Sequence, residues 1–266
     1  MDPAPNRWAD LRPRVISATL MVAVGAAALW QGGLAFQALV VAIAALMIWE
    51  LARMTRPLQV PDVSVPLAAL AALCLALVFY YGMGLAALVF LAAPSLVGAG
   101  SGRRDQAVYV VYAFVVMLTG YGLVTLHHDH GLAIILWLLL VVVASDLAGY
   151  FAGRILGGPK FWPRISPKKT WSGTAAGWLC AVVVGLGFVL AGQGGWGLLW
   201  LSPLVAFAGQ MGDIGESWIK RRAGVKDSSN LIPGHGGFMD RFDALAGAVV
   251  AVLAASLLLV LPIGGQ

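Results

Sequence analysis

Long apolar blocks, interrupted by short polar segments, set the pattern of this chain. They cover positions 15–30, 34–51, 65–81, 85–98, 108–126, 132–152, 175–191, 196–211 and 244–261. An α-helix rises about 1.5 Å per residue, so a run approaching about 20 apolar residues is what a helix needs to cross the hydrocarbon core of a bilayer. The pattern predicts an all-α, polytopic integral membrane protein with about nine transmembrane helices. The third and fourth blocks are joined only through Gly82-Met83-Gly84, and hydropathy alone would allow one long helix there.

Composition excludes a soluble fold. Of 266 residues 60% are hydrophobic and 11% charged, with a mean hydropathy of +0.87, whereas a soluble domain clothes its surface with about 25% charged residues. Cys74 and Cys180 each lie inside an apolar run with no other Cys or His nearby, which supports neither a disulfide framework nor a zinc site.

The placement of charge separates the third block from the fourth. With nine crossings, Arg7, Arg12 and Arg14, then Arg53 and Arg56, then Arg103 and Arg104 share one face with the bases of two longer loops, and all 17 Lys and Arg lie on that side. Fusing the two blocks would scatter the bases over both faces. The positive-inside rule therefore predicts a cytoplasmic N-terminus and an outward C-terminus. The first block follows three arginines as a signal peptide would, but without a small-x-small cleavage site it reads as a retained helix. The opposite face consists of short turns and His127-His128-Asp129-His130, whose crowded imidazoles are a weak metal signal.

The two polar loops differ in electrostatics. Positions 153–174 carry Arg154, Lys160, Arg164, Lys168 and Lys169 without one acid, and Ser166-Pro167-Lys168-Lys169-Thr170 sets hydroxyls and ammonium groups just before a helix N-terminus. That combination suits a phosphate, although topology or anionic lipid would also account for the bases. Positions 212–243 instead balance Lys220, Arg221, Arg222, Lys226 and Arg241 with Asp213, Glu216, Asp227, Asp240 and Asp243. Topology needs no carboxylates. Asp213, Glu216, Ser217 and Lys220 fall on one helix face, as do Asp240 and Asp243. Acids beside bases at a membrane surface suit Mg²⁺ shared between protein and phosphates, since that ion usually needs only one or two carboxylates. Surface salt bridges are the plainer alternative.

Asp146 stands inside an apolar block, where an ionisable side chain is costly and marks a functional candidate. Tyr150 and Gly153 continue its helical stripe toward the basic loop. Pro233-Gly234-His235-Gly236-Gly237 is too rich in glycine for a helix and suits a backbone that approaches a ligand closely.

Taken in order, Ser217-Trp218-Ile219-Lys220-Arg221, then Lys226-Asp227, then Ile232-Pro233-x-His235-Gly236-Gly237-Phe238-x-Asp240-Arg241-Phe242-Asp243 closely resembles the signature of the phosphatidate cytidylyltransferases, also called CDP-diacylglycerol synthases. Asp146-x-x-x-Tyr150-x-x-Gly153-Arg154, Ser166 to Trp171, and Gln210-x-Gly212-Asp213-x-x-Glu216-Ser217 resemble that family's other polar blocks. Ser172 departs from the pattern, standing where many members carry Glu or Gln.

The resemblance implies conversion of phosphatidate and CTP to CDP-diacylglycerol and pyrophosphate, with Mg²⁺ as cofactor, in a homodimer. The one-sided basic loops suit a bacterial inner membrane with the site on its cytoplasmic side. The resemblance also implies one membrane domain over residues 1–266, in which 1–131 serve as scaffold and lipid access and 132–266 form the catalytic half. It further implies that Asp213 and Asp243 hold metal. Asp146, Lys226, Asp227, Asp240 and Arg241 would form the catalytic set. Ser166, Lys168, Lys169, Thr170, Lys220, Arg221, His235, Gly236 and Gly237 would bind substrate phosphates. Two rivals remain: a CTP-dependent polyprenol or phytol kinase, whose neutral hydroxyl nucleophile would want a positioned base, and a cation-coupled transporter built around Asp146.

Overall fold

The computed structural model describes residues 11–57 and 59–263. Arg7, one of the bases assigned to the N-terminal face, lies outside them. Chain inside a bilayer finds no water to bond its amides and must satisfy them internally, and each apolar block is indeed helical. The described residues form nine α-helices: α1 (Leu11–Gln31), α2 (Gly33–Met54), α3 (Ser64–Tyr81), α4 (Ala87–Ala99), α5 (Gln106–His130), α6 (Leu132–Ile155), α7 (Trp171–Leu190), α8 (Leu198–Ala223) and α9 (Met239–Ser256).

Six of these helices, α1, α2, α3, α5, α6 and α7, are long and apolar enough to cross a membrane. The other three expected crossings fall short for physical reasons. With the 3₁₀ turn that precedes it, α4 reaches only from Gly84 to Ala99. The second half of α8 carries Asp213, Glu216, Lys220, Arg221 and Arg222, and α9 opens with Asp240, Arg241 and Asp243.

Two further expectations change. The chain is not wholly helical, because part of the 153–174 loop folds into an antiparallel hairpin of β1 (Lys160–Trp162) and β2 (Ser166–Thr170), pairing Lys160 with Thr170 and Trp162 with Ser166. The histidines expected in an outer loop instead form the last turn of α5, which ends at Gly131 with a φ of 74°.

The chain divides into two compact units, Met1–Ala113 with Val225–Arg241, and Phe114–Gly224 with Phe242–Gln266. In the first, α2 packs on α1 and α3, and α3 on α4. Its core includes Met47, Ile48 and Leu51 of α2 and Ala71, Leu75 and Val78 of α3. Arg103 ties the ends of two helices together, donating to the Ala52 carbonyl and, at 3.3 Å, to that of Gly98. A guanidinium suits two helix C-termini, where carbonyl dipoles converge.

In the second unit α7 packs on both α6 and α8. Glycines let α6 and α7 meet almost backbone to backbone: a Cβ on Gly173 would lie 2.5 Å from the Gly149 carbonyl oxygen, and one on Gly177 2.6 Å from Ser145 Oγ. Small residues at such seams replace the hydrophobic drive that lipid cannot supply. Leu147, Phe151, Leu179, Val183 and Leu190 remain exposed, an apolar face suited to lipid.

Candidate active site

The second unit holds a cavity of about 570 Å³ between the ends of α6, α7 and α8 and the hairpin. Asp146, Gly149, Tyr150, Gly153 and Arg154 line it from α6, Lys160, Lys168, Lys169 and Thr170 from the hairpin, and Gln210 and Asp213 from α8. The hairpin folds as it does because Thr170 ends it and begins α7. Its Oγ1 accepts the Gly173 amide at 3.2 Å, the N-cap role for which threonine is suited. Ser172, the position that departs from the family pattern, donates to the Gly157 carbonyl and lies 3.0 Å from Thr170 Oγ1. It thereby fastens the same corner.

Lys169 reaches inward. Its Nζ lies 2.5 Å from Asp213 Oδ2 and donates to the Gln210 carbonyl at 3.3 Å. Lys168 stays exposed at the rim. Gln210 joins the three helices, donating from Nε2 to Ser145 Oγ at 3.1 Å and accepting from Trp178 Nε1 at the same distance. Asp146 is exposed within the cavity, and Arg154 donates to the Tyr150 hydroxyl at 3.0 Å.

Asp243 is brought close to α8 by absent side chains. Gly212 lies against the Asp243 carbonyl, Gly209 against that of Ala244 and Gly247 against that of Ala208, so α8 and α9 cross with little between them. One residue before the apolar run, Asp243 is 8% exposed. Burial first, then the neighbouring Asp213 carboxylate, push it up to about 7, against the Ala244 amide and Lys220, which favour its ionised form. Farther along α8, Lys220 pairs with Glu216 at 2.6 Å, and Arg221 is exposed in the last turn.

The remaining expected residues belong to the first unit. Lys226 and Asp227 are exposed. His235 Nδ1 lies 2.8 Å from Ser17 Oγ, which also lies 3.0 Å from the Pro233 carbonyl and 3.1 Å from that of Arg14. The hydroxyl carries one proton, so Ser17 donates to only one of these three groups at a time. Arg241 donates from Nε and Nη2 to the His235 carbonyl, at 3.0 and 2.6 Å. Asp240 Oδ2 accepts from the amides of Ser228 and Gly237 at 2.9 and 2.8 Å and from Ser228 Oγ at 2.8 Å.

Gly236, with a φ of 83°, adopts the left-handed conformation that glycine tolerates. Gly237 has a different reason to lack a side chain, because a Cβ there would collide with Ser228 Oγ and Glu50 Oε1. The space beside Gly237 is thus filled by protein, where the sequence suggested close approach to a ligand. Ser166 pairs with Trp162 at the far end of the hairpin and is not among the residues lining the cavity.

Two residues escaped sequence reasoning. Ser17 lies in α1 among apolar neighbours and gives no signal. Glu50 did give one, being an acid within an apolar block, as Asp146 is. It is fully buried in α2 and accepts from Ser229 Oγ, Phe238 N, Ser228 Oγ and Met239 N at 2.6, 2.9, 3.1 and 2.7 Å.

Helices fit to cross a membrane and a pocket in which carboxylates and ammonium groups face one another define the class of protein. Positions 12–260 match the model of the cytidylyltransferase family, and the chain belongs to that family. It is 45% identical over 150 residues to a phosphatidate cytidylyltransferase of Brucella suis, an alignment covering 56% of this chain and 55% of that protein. The protein of the same name from Haemophilus influenzae is 42% identical over 131 residues, covering 46% of each chain. That from Helicobacter pylori is 43% identical over 128 residues, covering 47% of each. The matched part spans about half the length of these relatives.

Proposed function

We propose that the protein transfers the cytidylyl group of CTP to phosphatidate, giving CDP-diacylglycerol and pyrophosphate. The observation that carries this reading is the cavity of the second unit, where Lys169 is paired with Asp213, and Arg154, Lys160 and Lys168 line the same cavity as Asp146. Membership of the cytidylyltransferase family supports it.

The nucleophile makes little demand for a base. A phosphate monoester has a second pKa of about 6 and is largely dianionic near neutral pH. Its oxygen forms a bond to the α-phosphorus of CTP as the bond to the bridging oxygen breaks, and pyrophosphate leaves with that electron pair. The barrier lies in bringing anions together, so cationic groups that spread charge count most. In this reading Lys168, Lys169, Lys160 and Arg154 neutralise phosphate oxygens, while Tyr150 keeps Arg154 oriented. Lys226 and Arg241 carry positive charge on the loop of the first unit.

The donor set also fits Mg²⁺. Among the described residues no cluster of three or more His, Cys, Asp or Glu side chains forms a metal cage, but an ion completed by substrate phosphates does not require one. Asp243 is buried with the Asp213 carboxylate as a like-charged neighbour, a pair that a divalent cation would balance. Asp213 and Asp243 would hold the ion, which supplies charge neutralisation at the transferring phosphoryl group. We further read the chain as crossing the inner membrane of a bacterium nine times with its N-terminus inside, which gathers the basic loops at the cytoplasmic face.

The test uses purified protein in detergent micelles with phosphatidate, Mg²⁺ and CTP labelled separately at the α- and γ-phosphates. Label from the α-position in lipid, with the γ-label in pyrophosphate, is expected, and chelation of Mg²⁺ should abolish it. γ-Label entering a polyprenol or phytol would instead identify a kinase.

A further inference from the structure

Glu50 is 0% exposed and lies on α2, remote in sequence from every residue given a role above. A buried carboxylate is expensive unless its oxygens are met by donors. Both are met here, and every donor comes from one segment. Oε1 takes the Ser229 hydroxyl and the Phe238 amide, and Oε2 takes the Ser228 hydroxyl and the Met239 amide. The last two amides stand at the start of α9, where backbone donors have no partner within the helix and a negative charge is favoured. Glu50 therefore caps α9 from another helix while gripping the beginning of the loop through two serines.

The loop in turn closes on itself. Ser228 Oγ lies between Glu50 Oε2 at 3.1 Å and Asp240 Oδ2 at 2.8 Å, and its one proton serves one of them at a time. Asp240 also holds the amides of Ser228 and Gly237, so both ends of the segment are fastened to two carboxylates. Gly237 has no room for a methyl group beside Glu50 and Ser228. The segment carries Lys226, Asp227, His235 and Arg241, and α9 carries Asp243 one turn beyond the capped end.

We propose that Glu50 is a positioning residue for the transfer reaction: bonded to Ser228, Ser229 and the first amides of α9, it holds the segment from Lys226 to Arg241 in its working shape. The proposal rests on the function assigned above. It gives the acid of α2 no contact with substrate, and its effect is on turnover.

Glu50→Gln keeps the shape and one acceptor oxygen but puts a carboxamide NH2 where the other oxygen accepted a backbone amide, setting donor against donor. In the α-labelled CTP assay, kcat should fall about 10- to 100-fold, the usual loss when a group that orients a reacting one is removed. KM for CTP and for phosphatidate should stay within about threefold, and the unfolding midpoint in micelles should change little. Hydrogen exchange supplies a readout independent of activity, in which the amides of 228–239 exchange faster while those of α6 and α7 are unchanged. Ser229→Ala, which removes one donor and leaves the carboxylate in place, should show the same pattern in smaller degree, and it serves if Glu50→Gln does not fold. Wild-type kcat in a folded Glu50→Gln protein overturns the proposal. So does a loss of activity that merely follows loss of folded protein, or unaltered exchange in 228–239. Absence of α-label in lipid with wild-type protein overturns the assigned function instead, and the exchange data still decide whether Glu50 holds the segment.

Discussion

The two units use their acids in opposite ways. In the first, Glu50 and Asp240 meet amides and hydroxyls, donors that are fixed in the backbone or one bond away from it. In the second, Asp213 meets the ammonium of Lys169, which ends a long side chain and can leave, and Asp243 sits buried with Asp213 as a like-charged neighbour. A carboxylate saturated by neighbouring backbone fixes a shape. One balanced by a mobile cation can release that cation to a phosphate and take a metal ion in its place. The residue type is the same, and the donor around it decides which role it can take.

Removing an acid from the second unit should therefore cost activity more than stability. Asp213→Asn should reduce cytidylyl transfer by about two to three orders of magnitude, the range for losing one electrostatic contact to a reacting group, with little change in the unfolding midpoint. Intact turnover in that variant would erase the contrast. In the first unit a packed glycine tests stability instead. Gly237→Ala drives a methyl group against Glu50 and Ser228, and should lower stability by about 1–3 kcal/mol, as overpacking does, read from denaturation in micelles.

The comparison sharpens further with Lys169→Met, which keeps the stem and removes the charge. KM for CTP should rise about tenfold, corresponding to about 1.4 kcal/mol. Mg²⁺ should bind the substrate-free protein more tightly, because Asp213 loses its competing partner. Titration of Mn²⁺ followed by electron paramagnetic resonance would show it. The smallest effect is expected of His128→Ala in the last turn of α5, an exposed position where stability should change by no more than about 0.5 kcal/mol and transfer should be unaffected.

What the sequence disclosed follows the strength of each physical signal. Helices were legible because hydrophobic runs of bilayer length have few other uses, and the cytidylyltransferase resemblance rested on polar residues at fixed spacing between Ser217 and Asp243. Asp146 was legible as an acid in an apolar run. Glu50 was as anomalous, but it stands three residues before Arg53 and was absorbed into a boundary read for its positive charge. The hairpin was hidden because Lys160–Trp162 is only three residues long, Ser166–Thr170 is polar and contains Pro167, and Pro163 stands between them. The bonds from Ser17 to His235 and from Glu50 to Phe238 join positions far apart along the chain, and no local pattern announces such pairs.

The glycine seam between α6 and α7 also acts as a gauge. With Gly149 against Gly173 and Gly177 against Ser145, the width of the cavity above is fixed by the thickness of two backbones. A side chain at Gly173 or Gly177 would press on Gly149 or Ser145 and wedge the helices apart, widening the mouth and moving Asp146 away from the hairpin lysines.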